Sequence, residues 1–150
     1  MAEMRQIVSL MLSGEKYGIN IMDIEEILRM MDITRVPKAP SFVEGIINLR
    51  GQVIPIVDLR KKLGIAVPEE SGQTRIINVN IKGKKIGFVV DCVDEVLRLD
   101  PEVIDKAPGA STGVNSGYID GVARTKQGMI IILDVHRIFN PNEASALSYF

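Results

Sequence analysis

The second half of this chain repeats the first, and a chain written twice must fold into an architecture that takes two copies of one supersecondary plan. The run Tyr17 to Arg29 aligns with Ile86 to Arg98 at an offset of 69 residues. Lys38-Ala39-Pro40 matches Lys106-Ala107-Pro108 at an offset of 68. Phe42-Val43-Glu44-Gly45 matches Tyr118-Ile119-Asp120-Gly121, and Val53 to Asp58 matches Met129 to Asp134, both at 76. The matches keep their order and need one sizeable gap. A copy of roughly 70 residues buries little surface alone, so the two are expected to share a core within one domain. The expected bounds are 6–64 for the first copy, 65–73 for a polar linker, 74–140 for the second copy and 141–150 for a tail.

Strand signals dominate both copies. Gln6–Leu12 and Tyr17–Ile21 read as a hairpin around Ser13-Gly14-Glu15-Lys16, and Thr74–Ile81 and Lys85–Val90 as its twin around Lys82-Gly83-Lys84. After the first hairpin, Ile24, Ile27 and Leu28 fit one helical turn with Asp23 as its cap. The corresponding run Asp91–Leu99 is richer in β-branched residues and fits helix or strand. Gly45–Val57 reads as two strands around Gly51, with Pro55 implying an edge or a bulge. Asp58 and Asp134 read as N-caps of short helices over Leu59–Leu63 and Val135–Phe139. Ala107–Ser116 reads as a long loop, and the tail as a short helix or frayed end.

The chemistry-bearing residues are sparse. The single Cys92 excludes an internal disulfide framework, and with one histidine, His136, a zinc site lacks ligands. Cys92 lies in an apolar run and reads as buried and inert, and His136 reads as a surface residue. Glu25-Glu26 and Asp94-Glu95 are adjacent pairs whose side chains diverge on a helix or a strand, so neither forms an acid–base dyad. No phosphate-binding glycine loop or nucleophile elbow is present. We therefore assign no catalytic residue, cofactor or metal. Net charge is −1 with both signs mixed, and 5% of residues are aromatic with no Trp, which disfavours nucleic-acid binding. The basic triplet Arg60-Lys61-Lys62 reads as the solvated face of a helix. No apolar run reaches transmembrane length and the N-terminal segment lacks signal-peptide features, so a cytoplasmic protein without membrane insertion is expected.

What remains is a break in the repeat. Asn48-Leu49-Arg50-Gly51 stands opposite Arg124-Thr125-Lys126-Gln127. An arginine beside a glycine at a strand end can reach out of a sheet toward carboxylates or carbonyls of a partner. The alternative is an exposed turn arginine without such a role.

The block Phe42 to Arg60, with Asn48-Leu49-Arg50-Gly51 at its centre, resembles the signature of the CheW-like family of bacterial chemotaxis coupling proteins. Tyr17-Gly18-Ile19 with Ile24-Glu25-Glu26-Ile27 is similar to the family's opening segment. Ile86 to Asp91, Val96-Leu97 and Tyr118 to Asp134 resemble its second half. The resemblance spans roughly 6–139. It implies a mainly β fold: two SH3-like five-stranded barrels sharing a hydrophobic core, with short helices. It also implies a scaffold of a two-component signalling system, bridging the cytoplasmic tip of methyl-accepting receptors and the regulatory domain of the histidine kinase CheA, and recruited from the cytoplasm to membrane receptor arrays. The receptor-facing positions it implies are Ile24, Glu26, Ile27, Asn48, Arg50 and Val96. On the kinase side it suggests the second barrel's outer strands near Arg75 and Ile76. Competing readings are a coupling protein of a gliding or twitching pathway, or a small β-barrel ligand-binding protein, which needs an enclosed pocket with converging polar groups.

Overall fold

The computed structural model describes residues 3–106 and 117–148; the loop expected at 107–116 lies outside them. Two sheets carry the fold. The first-copy hairpin forms β1 (Arg5–Leu12) and β2 (Glu15–Asn20), and the chain continues through β3 (Ile24–Arg29), β4 (Val43–Leu49) and β5 (Gln52–Asp58) to helix α1 (Leu59–Leu63). The second copy supplies β6 (Arg75–Ile81), β7 (Lys84–Val90), β8 (Cys92–Leu99), β9 (Ile104–Lys106), β10 (Ile119–Thr125) and β11 (Gly128–Leu133). Helix α2 (Pro141–Leu147) follows.

The sheets do not follow the repeat boundaries at 6–64 and 74–140. One runs β8-β1-β2-β11-β10-β9 and the other β3-β6-β7-β5-β4. Each sheet therefore takes its hairpin from one copy and its remaining strands from the other. The joint is the same in both: β2 pairs parallel with β11, and β7 pairs parallel with β5. This exchange gives each hairpin edge a partner strand that its own copy does not supply. The duplication expected from sequence is present as two sheets of similar plan, but they are open sheets of six and five strands. The sixth strand is β9, a three-residue piece that follows a 3-10 turn at Pro101–Val103 and that the periodicity did not signal.

The apolar residues divide accordingly. Ile7, Leu99, Ala123, Ile130 and Ile132 form one cluster on the six-stranded sheet, and Ile47, Ile54, Ile56, Ile76 and Val89 a corresponding one on the five-stranded sheet. A larger core lies between the sheets, with Leu10, Leu12 and Ile19 from one side and Val57, Ile77, Val79 and Phe88 from the other. Ile138 and Leu147 close it from the C-terminal segment. Phe139 stacks near Phe88 and tilts against Phe42, with centroids 6.0 and 5.8 Å apart, and so ties the end of the chain to the five-stranded sheet.

Three local expectations need correction. Ile24–Arg29 is a strand and not a helical turn, because pairing with β6 along the whole segment overrides a three-residue helical pattern. Asp23 caps nothing; Asn20 caps the 3-10 turn Ile21–Asp23 that precedes β3. Pro55 sits on an inner strand, not at an edge, but the bulge half of that expectation is met next to it, where the β4–β5 register shifts between Val43 and Gly45; the parallel ladder to β7 begins at Ile56, just after Pro55. The caps at Asp58 and Asp134 are present, though the second opens a 3-10 turn, Val135–Arg137, and not a helix.

Candidate functional site

The β4–β5 turn presents Arg50. Both turn residues have left-handed backbone, Arg50 at φ 53° and Gly51 at φ 85°, which is the hairpin geometry whose twist matches the flanking strands. Asn48 steadies it: its Oδ1 accepts the Gly51 amide at 2.9 Å. The β6–β7 turn repeats this device, with Asn80 Oδ1 accepting from Gly83 N at 2.8 Å around Lys82 at φ 52°. The Asn-x-basic-Gly pattern of the β4–β5 turn is thus first a turn signal, and Asn80-Ile81-Lys82-Gly83 is a second instance that the sequence reading passed over. Arg50 differs from Lys82 in what it reaches. Its guanidinium makes an ion pair with Glu26 on β3. That contact joins the two outer strands of the five-stranded sheet, β3 and β4, near the place where Thr34 and Ile46 exchange backbone hydrogen bonds at 2.9 and 2.8 Å. The Arg50 side chain still keeps 68% of its surface exposed, so it remains available to a partner.

The other expected positions fall in distinct places. Ile27 stands opposite Ile77 and Val96 opposite Val8. Directly opposed residues share a sheet face, and Ile77 belongs to the core between the sheets, as does Leu10, two residues on from Val8 and on the same face of β1. Ile27 and Val96 are thus the exposed margins of faces that turn toward the shared core, one on each sheet, at 43% and 52% exposure. They are also repeat equivalents, 69 apart. Ile24 is half-buried against that core. The structure therefore brings Glu26, Asn48 and Arg50 together at one turn, sets Ile27 beside them on β3, and places Val96 on the other sheet. Exposed Val53 and Met129, repeat equivalents at an offset of 76, were not singled out from sequence; the alignment of the copies was the signal that could have found them.

Arg75 and Ile76 are not on an outer strand. Both lie in β6, between β3 and β7. Ile76 is fully buried and has no surface to offer a partner. Arg75 is half-exposed and donates to the carbonyls of Gly72 and Thr74, each at 2.9 Å, holding the end of the linker.

Two of the polar contacts between the copies are variants of one design. After β5, Arg60 is 4% exposed rather than solvated. It donates to both carboxylate oxygens of Asp58 at 3.0 and 3.1 Å and to Asp91 of the second copy at 2.6 Å. Burial alone would lower its pKa, but the hydrogen bonds and charges of Asp58 and Asp91 outweigh burial and hold it above the usual arginine value. Asp91 in turn accepts the Ser13 amide of the β1–β2 turn at 2.8 Å. After β11, the equivalent residue is His136, whose Nε2 lies 3.0 Å from Asp23 of the first copy, half-exposed. The rest of the basic triplet is also engaged: Lys61 pairs with Glu44 at 2.6 Å, and Lys62 lies over the Phe42 ring and 3.5 Å from Glu143. Cys92 is half-buried rather than buried; burial, then Asp94 and Asp91, push its thiol pKa up and keep it protonated and unreactive near neutral pH. Among the described residues no group of His, Cys, Asp and Glu is arranged to hold a metal.

A model of the CheW-like domain matches residues 6–143. The chain belongs to the CheW-like family. It is 35% identical to the chemotaxis protein CheW of Treponema pallidum, over 97% of this chain and 88% of that one. It is likewise 35% identical to the chemotaxis protein CheW of Thermotoga maritima, covering 89% and 86%. Among solved structures it superposes on the scaffolding protein TtCheW of Thermoanaerobacter tengcongensis with a TM-score of 0.85 and 41% identity, over 93% and 94% of the two chains.

Proposed function

We propose that this chain is a chemotaxis scaffold that couples the cytoplasmic tip of methyl-accepting receptors to the regulatory domain of the histidine kinase CheA, working in the cytoplasm at membrane receptor arrays. The observation that carries the reading is the match to CheW-like scaffolds along nearly the whole chain. No helix among the described residues is long and apolar enough to cross a membrane, which is compatible with recruitment to an array through receptors. The receptor side of this reading is the turn at Asn48 and Arg50 with Glu26, flanked by Ile27 and Val96. A helical hairpin of a receptor presents apolar side chains at helical spacing, and two apolar margins on neighbouring sheets suit a helix laid between them. Arg50 adds a directional charge, and Ile24 supports β3 from the core. On the kinase side the reading rests on Arg75 alone, since Ile76 is buried.

The test is co-purification of the chain with a CheA regulatory domain and a receptor cytoplasmic fragment, beside the Arg50→Glu variant. We expect both partners to be retained by the parent chain and receptor retention to fall sharply in the variant, while the kinase domain stays bound. Retention of neither partner by a folded parent chain would overturn the function. Unchanged receptor retention by the variant would overturn the site.

A further inference from the structure

Away from the receptor-side turn, a half-open cleft of about 370 Å³ lies between the β6–β7 turn and α2. Its floor is apolar: Ile81 and Ile86 from the sheet, Phe139 and Leu147 from the C-terminal segment. Its rim is basic, with Lys82, Lys84 and His136, and among the described residues no acidic one lines it, although the chain holds 19 acidic against 18 basic residues. The His136 ring is engaged by Asp23 and Lys84 is engaged elsewhere, so the positive charge offered to a ligand comes from Lys82. Lys82 makes no hydrogen bond or ion pair among the described residues. Its backbone is fixed by the Asn80-braced turn at the edge of the cleft, and its exposed stem leaves the ammonium free to swing toward a ligand there.

We propose that this cleft binds an amphipathic carboxylate, a small molecule with an aliphatic or aryl body and one anionic head. The body rests on Ile81 and Phe139 beside Pro141 and Ala144, above the buried Ile86 and Leu147, and the carboxylate faces Lys82. An apolar floor with a cationic rim selects for that combination: an uncharged body forgoes the charge-assisted contact, and a polar polyanion leaves the floor without partners. The volume is at the small end of the range of about 300–1,000 Å³ for small-molecule sites, which fits a compact ligand better than a docked protein segment. This site is independent of the scaffold reading and adds a ligand input to it.

The test titrates decanoate into the full chain and follows backbone amide shifts by NMR. We expect saturable binding below the concentration at which decanoate forms micelles, with shifts centred on Ile81, Ile86, Ala144 and Leu147. Decanamide, which keeps the body and loses the charge, should bind about tenfold more weakly. Lys82→Asn retains a residue that tolerates positive φ and should weaken decanoate by a similar factor. Ala144→Leu, at an exposed position of α2 on the cleft side, favours helix and should block binding without unfolding the chain. Absence of saturation, equal affinity for decanamide, indifference to both substitutions, or shifts centred elsewhere would each overturn the proposal.

Discussion

Residue by residue, the protein uses near-identical parts for different ends. Asn48 and Asn80 brace their turns in the same way, so Asn48→Ala should cost about 1 kcal/mol in urea unfolding, the net value of one hydrogen bond, and Asn80→Ala at least as much, since its Nδ2 also donates to Glu25 at 3.0 Å. Only Asn48→Ala should also weaken capture of a receptor fragment, because only that turn carries the Arg50–Glu26 pair. The pair itself is solvent-exposed, and such pairs are worth about 0–1 kcal/mol. Arg50→Glu should therefore leave the unfolding midpoint nearly unchanged, and the double change Arg50→Glu with Glu26→Arg should recover the turn's orientation but not a receptor contact that needs a cation at position 50. A double variant that binds receptor as the parent does would show that the pair acts only by shaping the turn. The two roles of the Asn-x-basic-Gly pattern explain what could be read beforehand. Turn chemistry is local and was legible; the ion pair spans 24 residues and rests on β3 being a strand, which the sequence pattern did not favour.

Among the elements, stability is concentrated where the copies join. Arg60→Met leaves Asp58 and Asp91 facing one another in a buried space without their cation. We expect a loss of about 3–5 kcal/mol, as for other broken buried ion pairs, measured by denaturant unfolding. His136→Ala, at the equivalent joint, removes a half-exposed contact and should cost under about 1 kcal/mol. Equal losses at the two joints would contradict the burial difference between them. A second element-scale test is Gly45→Ala. Gly45 has φ 146°, and a Cβ there would stand 2.1 Å from the Thr34 carbonyl oxygen. Backbone cannot yield as a side chain does, so the Thr34–Ile46 bridge, which ties the segment after β3 to β4, should open. Hydrogen exchange at Thr34 and Ile46 should then rise more than at Ile77. The strands themselves were largely legible from alternation and turn residues. The error fell at Ile24–Arg29, where three apolar residues mimic a helical period; at Pro55, of the two alternatives the proline left open, the bulge applies and the edge does not, since an inner strand accommodates the proline beside a register shift and the start of a parallel ladder. Arg60 was misread because a run of three basic residues says nothing of the Asp91 that arrives from the other copy.

Across the whole molecule, two of the described groups tie stability to alkaline pH. Cys92 and Tyr17 both have raised pKa values, each first through burial. A raised acid holds its proton longer in the folded state than in the unfolded one. The associated stability is therefore complete below the unfolded values, 9.0 for the thiol and 10.0 for the phenol, and is lost as pH rises through the higher folded values. Thermal unfolding should show a falling midpoint above about pH 9, with a smaller fall in Cys92→Ala; a midpoint flat to pH 11 would refute it. Duplication was legible because offsets of 69 and 76 are visible in one chain, and the resemblance supplied the paired sheets. What neither could supply was which strands pair, because β2–β11 and β5–β7 are long-range parallel contacts with no local mark. That exchange has a physical outcome for a severed chain. A cut between α1 and β6 would leave two fragments, each holding a hairpin whose missing neighbour is in the other. Neither piece would complete a sheet alone, and the two, mixed, should restore the fold by mutual complementation, so that cleavage of this linker would yield a nicked but assembled protein rather than two independent halves.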